Sequence, residues 1–242
     1  MPLYLKDNCR PILFLHIPKT GGSTIENWLN AECNYSQMLL SKYALDGMTC
    51  TPQHLSFESI SALVGEDFST AKSYAFTVVR NPFDRLVSEF FYRVGMKQIR
   101  LGSSPEKYFS NWVNDILEKA TKSPDVLDNH LRPQGFFISD DVRIFKLESG
   151  IEAILETVAK ENDLAAPTVI SSKKVSAKTD VIWSDSAIQR VQEFYKDDFH
   201  RFGYSVEPVN GRETKLNSVK STMCFCRYHV RNIVMKFANG EI

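Results

Sequence analysis

The residues with the clearest chemical potential lie between positions 12 and 24, where the sequence reads ILFLHIPKTGGST. An apolar run is followed by Lys19, by the pair Gly21 and Gly22, and then by two hydroxyl side chains. Glycines let the backbone turn sharply and bring its N–H groups close to a ligand, and the start of a helix favours negative charge. The lysine adds a full positive charge. The segment therefore predicts a binding site for a phosphate or a sulfate ester.

A buried strand and a helix are the elements that must position this segment. The four apolar residues Ile12–Leu15 suit a parallel strand that is covered on both faces, and Ser23 or Thr24 is expected to cap the following helix. The lysine precedes the glycines, whereas it follows the last glycine of a Walker A loop. An ATP or GTP hydrolase is therefore less favoured. The remaining alternative is an ordinary strand–turn–helix whose glycines only ease the turn.

A second segment, SYAFTVVRNPFDRLVSEFFYR at positions 73–93, has the same organisation. Tyr74–Val79 predicts another buried strand because it is rich in β-branched and aromatic residues. An Asn-Pro pair then suits the start of a helix. Arg80 at the strand end and Ser88 in the helix could bind one anion together, since arginine offers a planar fork of donors. In the alternative, Arg80 pairs with Asp84 on the surface and Ser88 is simply exposed.

Together the two segments resemble the sulfotransferases that use 3′-phosphoadenosine 5′-phosphosulfate (PAPS), in particular the carbohydrate sulfotransferases of the Golgi and their soluble bacterial relatives. The resemblance rests on IPKTGGST and RNPFDRLVSEF in this order and spacing, and it extends more weakly from about residue 12 to residue 204. It implies that the first motif holds the 5′-phosphosulfate and the second the 3′-phosphate. The cofactor-binding residues implied in this way are Lys19, Thr20, Gly21, Gly22, Ser23, Thr24, Arg80 and Ser88.

Sulfuryl transfer should resemble phosphoryl transfer, in which the attacking and leaving oxygens lie roughly in line. Catalysis then consists mainly of positioning and of charge stabilisation. Lys19 is expected to stabilise the charge that develops on the bridging oxygen as its bond to sulfur breaks. The sulfuryl group carries less charge than a phosphoryl group, and the sequence contains no clear metal site. We therefore expect no metal.

The acceptor hydroxyl must lose a proton, which requires a general base. His54 is the only histidine between the two anion motifs, where the resembling family places a catalytic His or Glu. It precedes Ser56, a good cap for a helix that reaches about Val64, so it is expected at a loop-to-helix junction. The alternative is a solvated loop histidine, and Glu58 is the second candidate. His16, directly before the glycine loop, is either a ligand contact or a structural imidazole.

The stretch DNHLRPQGFFI is similar to a His–aromatic–Arg-Pro-Gln stretch of the same family, although Leu131 stands at the aromatic position. We predict that it lines the acceptor site through His130, Arg132 and Gln134; a plain structural loop is the alternative. A long loop over residues 163–180 contains Lys173 and Lys174. Long loops are often functional lids, and the resemblance implies a lid that closes over the nucleotide near its 3′-phosphate. Two solvated lysines are the alternative.

Length and composition fit one enzyme domain. The chain has 242 residues, 43% of them hydrophobic, with 29 basic and 29 acidic residues. This composition supports a sizeable core and argues against bulk nucleic-acid binding. The predicted fold is α/β, with a P-loop-like central parallel sheet flanked by helices on both faces. We expect a sulfotransferase domain over residues 1–206 and a basic C-terminal extension, helical or partly ordered, over residues 207–242. Beyond the two motifs we expect helices over residues 105–120, 151–160 and 184–199 and a strand over residues 142–147.

The amino-terminal residues lack the charged start and the apolar span of a secretory signal, and their apolar run is too short to cross a bilayer. The five cysteines are odd in number and sparse, which suits a reducing compartment. We therefore expect a soluble cytoplasmic protein without a transmembrane segment, or a trimmed piece of a longer chain.

The sequence thus predicts an enzyme, a PAPS-dependent sulfotransferase that acts on a hydroxyl of a carbohydrate or a small molecule. The first alternative is a nucleotide-dependent phosphotransferase, which would need a carboxylate to hold Mg²⁺. The second is a non-catalytic module that binds anions or nucleotides. Such a module would keep Lys19 and Arg80 but would tolerate the loss of His54.

Overall fold

The computed structural model of the chain describes residues 3–37, 43–64, 73–99, 105–167 and 181–208. The strands in these parts are β1 (Leu3–Leu5), β2 (Ile12–Leu15), β3 (Tyr35–Gln37), β4 (Tyr74–Val79) and β5 (Arg143–Lys146). The helices are α1 (Gly22–Glu32), α2 (Phe57–Val64), α3 (Pro82–Gly95), α4 (Pro105–Lys122), α5 (Ile151–Glu161), α6 (Asp185–Phe194) and α7 (Lys196–Phe202). The predicted α/β class is confirmed.

The five strands form one mixed sheet in the order β3-β1-β2-β4-β5. Strands β2, β4 and β5 run parallel, with Phe14 opposite Phe76 and Val78 opposite Phe145. Strand β1 runs antiparallel to both of its neighbours. The prediction of a parallel sheet is therefore right for β2, β4 and β5 and wrong for β1. The reason is that residues 6–11 form a short connection between β1 and β2, and parallel neighbours need a much longer crossover.

The two faces of the sheet pack against different elements, because successive side chains of a strand point to opposite sides. Ile12 and Phe14 of β2 belong to a buried cluster with residues of α1 and α5. Leu13 and Leu15 belong to a second cluster with Leu55 and with α2. All four residues of β2 are buried, as the continuous apolar run predicts. A third cluster joins α3, α4, α6 and α7.

Most of the predicted helices and strands are confirmed. The strand expected over residues 142–147 is β5, and the helices expected over residues 105–120 and 151–160 are α4 and α5. The single helix expected over residues 184–199 is wrong, because α6 ends before Tyr195 and α7 begins after it. Tyr195 is buried, and its hydroxyl donates a hydrogen bond to the carbonyl oxygen of Leu131 at 2.8 Å. The break between the helices thus accommodates a side chain that anchors a distant loop.

Two predictions fall on residues that the structure does not describe. The loop with Lys173 and Lys174 lies largely outside the described residues, as does the basic segment after residue 208. The proposed lid and the C-terminal extension therefore stay predictions. Within the parts of the chain that the structure covers, no helix combines the length and the apolar character needed to cross a membrane.

Candidate active site

The segments that follow β2, β4 and β5 meet at one edge of the sheet, because the carboxyl ends of parallel strands lie together. The guanidinium Nη1 of Arg80 donates a hydrogen bond to the carbonyl oxygen of Lys19 at 3.3 Å. The backbone N–H of Asn81 donates to Oε1 of Glu148 at 2.7 Å. Both motifs that the sequence analysis singled out therefore belong to one site.

The loop between β2 and α1 turns through two left-handed residues, Lys19 at φ 70° and Gly21 at φ 89°. Gly21 is the cap of α1, and no side chain caps this helix. The expectation that Ser23 or Thr24 would be the cap is wrong, because both residues already lie inside the first turn. The first backbone N–H groups of a helix have no partner within the helix, so a helix start without a side-chain cap is suited to binding an anion. Thr20 is fully buried and its hydroxyl donates to the carbonyl oxygen of Ile17 at 2.8 Å, so this hydroxyl stabilises the turn.

His16 occupies a buried network beneath the loop. Its Nδ1 lies 2.6 Å from Oε1 of Glu26, and the side-chain amide of Gln53 donates to both oxygens of Glu26 at 2.7 Å. A Cβ atom on Gly22 would lie 2.3 Å from Nε2 of His16, so only glycine leaves room for this ring. Burial alone would raise the pKa of Glu26, but the hydrogen bonds from His16 and Gln53 lower it. Of the two alternatives for His16, these contacts support the structural one.

Arg80 lies at the end of β4, as predicted, and its backbone is held by Gln134. The N–H of Arg80 donates to Oε1 of Gln134 at 2.9 Å, and Nε2 of Gln134 donates to the carbonyl oxygen of Arg80 at 2.9 Å. Gln134 has no exposed surface, and its own N–H donates to the carboxylate of Asp198 at 2.7 Å. In this structure Gln134 therefore supports Arg80, and a direct contact with an acceptor stays a prediction. Burial lowers the pKa of Arg80. Ser88 lies half-buried on α3.

Arg85 is a buried residue of the site that the sequence analysis missed. It lies on α3 and is 2% exposed. Its guanidinium donates to three carbonyl oxygens, those of Pro18 at 3.0 Å, Arg132 at 2.9 Å and His130 at 2.8 Å. It thereby ties the glycine loop to the segment that contains His130. In the sequence, Arg85 is one of several charged residues of an amphipathic helix. Most such arginines are exposed, so the pattern did not indicate that this side chain is buried.

His54 is buried at the end of a single 3-10 turn, Pro52–His54, just before α2. Its Nδ1 lies 2.7 Å from Oδ2 of Asp128. An ionised carboxylate only accepts hydrogen bonds, so Nδ1 carries the proton and Nε2 keeps its lone pair. Burial lowers the pKa of His54 to about 4, although the hydrogen bond to Asp128 acts in the opposite direction. His54 is therefore neutral at neutral pH, as a general base must be.

The turn that carries Asp128 has an unusual backbone. Leu127, Asp128 and Asn129 all adopt left-handed conformations, at φ 57°, 63° and 61°. For a residue such as leucine this conformation costs about 1–2 kcal/mol, whereas aspartate and asparagine adopt it more readily, and it persists where surrounding contacts determine the structure. Here the side-chain amide of Asn129 donates to the carbonyl oxygen of His54 at 3.1 Å. The turn thus holds the residues that contact His54.

His130 follows this turn and is bound in the same way as His54. Its Nδ1 lies 2.7 Å from Oε2 of Glu89, which is 1% exposed and also forms an ion pair with Arg93. Burial would raise the pKa of Glu89, but its contacts with His130 and Arg93 lower it below its usual range. Burial lowers the pKa of His130. An ionised Glu89 therefore fixes the His130 ring through Nδ1.

The aromatic rings connect Lys19 with His54. The His54 ring lies edge-on between those of His16 and His130, with centroid distances of 5.3 Å and 4.9 Å. Tyr92 stacks on His130 at 5.8 Å, and Nζ of Lys19 lies 4.1 Å from the centroid of the Tyr92 ring. The structure thus brings both predicted catalytic residues into one cluster, while their catalytic roles stay predictions.

Two further predicted residues differ in their surroundings. Arg132 is half-buried; its Nε donates to Oδ1 of Asn129 at 3.3 Å, and its guanidinium carbon lies 4.3 Å above the ring of Phe136. This position beside the strained turn is compatible with a contact to an acceptor. Glu58, the second candidate for the base, is exposed on α2.

One group of side chains has the composition of a metal site. His54, Asp128 and His130 each place one ligand atom within 4.8 Å of the others, and two imidazoles with a carboxylate are ligands that transition metals accept. Asp128 and Glu89, however, already accept hydrogen bonds from the two rings. A metal would have to compete with these contacts, and the expectation that no metal is required stays a prediction.

A lysine, an arginine and an uncapped helix start meet at the strand ends of the α/β sheet, and groups of this kind suit phosphate or sulfate esters. A family model described as Sulfotransferase family matches residues 3–205. The chain therefore belongs to the sulfotransferase family, which confirms the predicted family and sulfuryl transfer as its general activity. Comparisons with curated proteins and with solved structures gave no match.

Proposed function

We propose that the protein transfers a sulfuryl group from PAPS to a hydroxyl group of a carbohydrate or small-molecule acceptor. The observation that carries this proposal is the direct contact between the two anion-binding segments, in which Arg80 donates to the backbone of Lys19 at 3.3 Å. A ligand with two separated anionic groups fits such a pair of segments. The row of histidines beside Lys19 supplies a group able to accept a proton.

In the proposed complex, Lys19 and the backbone from Thr20 to Thr24 bind the 5′-phosphosulfate in a P-loop-like turn. Because its hydroxyl is used inside the turn, Thr20 contributes through its backbone. Arg80 and Ser88 bind the 3′-phosphate. Lys173 and Lys174, which lie outside the described residues, are proposed to close over the nucleotide.

The reaction joins the acceptor oxygen to sulfur. This oxygen attacks as the bond between sulfur and the bridging oxygen of the 5′-phosphate breaks. The products are a sulfate ester and 3′-phosphoadenosine 5′-phosphate (PAP). The acceptor proton passes to Nε2 of His54, and Lys19 stabilises the charge on the leaving oxygen. Arg132 and His130 are proposed to contact the acceptor beside His54.

Titration calorimetry with PAP and AMP, without added metal, tests the two anion sites. We expect PAP to bind much more tightly than AMP, because only PAP carries the 3′-phosphate that Arg80 contacts. Arg80→Ala should remove most of this preference, since a charge-assisted contact contributes about 1.5–3 kcal/mol, or about 10- to 100-fold in affinity.

Arg143→Ala is the matched control, because Arg143 lies on the neighbouring parallel strand and pairs with Glu161 near the opposite edge of the sheet. It should leave the preference for PAP unchanged. Equal affinity of the wild-type protein for both nucleotides, or a strict requirement for Mg²⁺, would contradict the proposal and favour a phosphotransferase.

A further inference from the structure

The side chain of Asp128 connects the strained turn at residues 127–129 to the ring of His54. We propose that Asp128 is a positioning residue: it fixes the orientation and the tautomer of His54, so that Nε2 faces the acceptor hydroxyl with its lone pair. This inference rests on the proposed function, in which His54 accepts the acceptor proton.

The hydrogen bonds of Asp128 lock His54 and the turn before it as one unit. Oδ1 of Asp128 accepts from the backbone N–H of Thr51 at 2.6 Å, and Oδ2 accepts from the hydroxyl of Thr51 at 2.8 Å. Oδ2 also lies 2.7 Å from Nδ1 of His54. Because Thr51 immediately precedes the 3-10 turn that ends at His54, the carboxylate holds both the ring and the start of its backbone turn.

The left-handed turn aims two consecutive side chains at the same residue. Asp128 contacts the ring of His54, and Asn129 donates to the carbonyl oxygen of His54 at 3.1 Å. The guanidinium of Arg93 donates to the carbonyl oxygen of Leu127 at 3.3 Å, which fixes the turn from its other side. The turn is therefore held in place by its contacts with Thr51, with His54 and with α3.

The chemical consequence follows from the properties of the two partners. A carboxylate has no proton to donate, so the Nδ1 atom of His54 must donate to it and Nε2 is the only basic atom of the ring. The same relation between a carboxylate and a histidine base orients the ring in hydrolytic triads. Asp128 is only half-buried, so it lies at the border between the protein interior and solvent, next to the proposed base.

Asp128→Asn is the sharpest test, because an asparagine can keep a hydrogen bond from Thr51 while its amide donates to Nδ1 of His54. The ring would then carry its proton on Nε2 and could not accept another there. We expect kcat to fall by about 10²- to 10⁴-fold, with the affinity for PAP unchanged. Asp140→Asn, which alters a fully exposed carboxylate, is the matched control and should keep the wild-type rate.

The pH profile separates positioning from a purely structural role. The titratable groups near His54 are Asp128, His130 and His16, with the Cys50 thiol donating to its carbonyl oxygen. Loss of the Asp128 charge lowers the pKa of His54 further, so the acidic limb of the rate profile should move to lower pH. In a His54→Gln background, Asp128→Asn should cause little additional loss of kcat, because residues that act as a unit are not additive.

The wild-type protein provides a measurement that does not depend on how the variants fold. In ¹⁵N NMR spectra at neutral pH, the proton of His54 should reside on Nδ1. A proton on Nε2, or an Asp128→Asn variant that binds PAP and keeps kcat within about threefold of wild type, would overturn the proposal. Failure of the wild-type protein to transfer a sulfuryl group would instead overturn the proposed function. The NMR spectra would still show whether the Nδ1 atom of His54 carries the proton that it donates to Asp128.

Discussion

Replacing His54 with glutamine is expected to lower kcat by about 10²- to 10⁴-fold, the range that a general base contributes. Glutamine can still donate a hydrogen bond to Asp128, so the fold and the affinity for PAP should persist, but its amide cannot accept a proton at neutral pH. Initial rates with labelled PAPS measure the effect. His200→Gln, an exposed histidine on α7, should retain the wild-type rate.

The pH dependence of the wild-type enzyme gives the same prediction an independent readout. Because the pKa of His54 is about 4, kcat/KM should change little on acidification from pH 8 to about pH 5 and fall below that. The lowered pKa also affects folding: the stability that His54 contributes is complete above its ordinary pKa of 6.5 and is lost as the pH falls toward 4.

A His54→Gln variant with most of the wild-type rate would place the base elsewhere, with Glu58 and His130 as the next residues to change.

Lys19→Ala is expected to lower kcat by about 10²- to 10³-fold, as the loss of a group that stabilises transition-state charge does. Its effect on the affinity for PAP should be much smaller, because the backbone N–H groups at the start of α1 remain. Saturation kinetics and calorimetry on the same preparation separate the two quantities. Lys122→Ala, which removes an exposed lysine paired with Glu118, is the control.

The opposite pattern would change the role of Lys19. A Lys19→Ala variant that loses affinity for the donor but turns over normally at saturation would show that Lys19 only binds the donor. The family of the chain would be unaffected, since membership rests on the match over residues 3–205.

The central strands could be predicted from the sequence because their signals are local. Continuous apolar or β-branched runs are typical of strands that are buried on both faces. The sequence has two such runs, Ile12–Leu15 and Tyr74–Val79, and both are strands with these bounds. Strand β1 has only three residues, too few to show a pattern, so its antiparallel pairing was missed. This pairing depends on the short connection to β2 and not on the residues of β1 themselves.

Helix caps were predictable only where the side chain determined the turn. Asn81 caps α3 by accepting from the N–H of Phe83 at 2.9 Å, and Ser56 accepts from the N–H of Ser59 at 3.1 Å before α2. At α1 the cap is Gly21. The left-handed backbone there, and not a hydroxyl, determines where the helix starts, so the presence of Ser23 and Thr24 was misleading.

The residues of the site also divide into those that the sequence indicates and those that only the fold reveals. Lys19, Arg80 and His54 stand beside strand ends or helix starts, so short motifs indicate them. Their partners could not be found in this way, because contacts between distant parts of the chain select them. Asp128 lies 74 residues from His54, and Glu89 lies 41 residues from His130. In a sequence, such carboxylates look like ordinary surface residues, and only the folded chain shows that they lie within hydrogen-bond distance of imidazoles.

Transfer of label from ³⁵S-PAPS to a panel of carbohydrate and small-molecule hydroxyl acceptors tests directly whether the protein is a PAPS-dependent sulfotransferase. The proposed function predicts a labelled sulfate ester and an equal amount of PAP from the wild-type protein without added metal. It also predicts strongly reduced transfer by His54→Gln and Lys19→Ala, and wild-type transfer by His200→Gln. Absence of transfer from PAPS, together with Mg²⁺-dependent transfer of the γ-phosphate of ATP to the same acceptors, would contradict it.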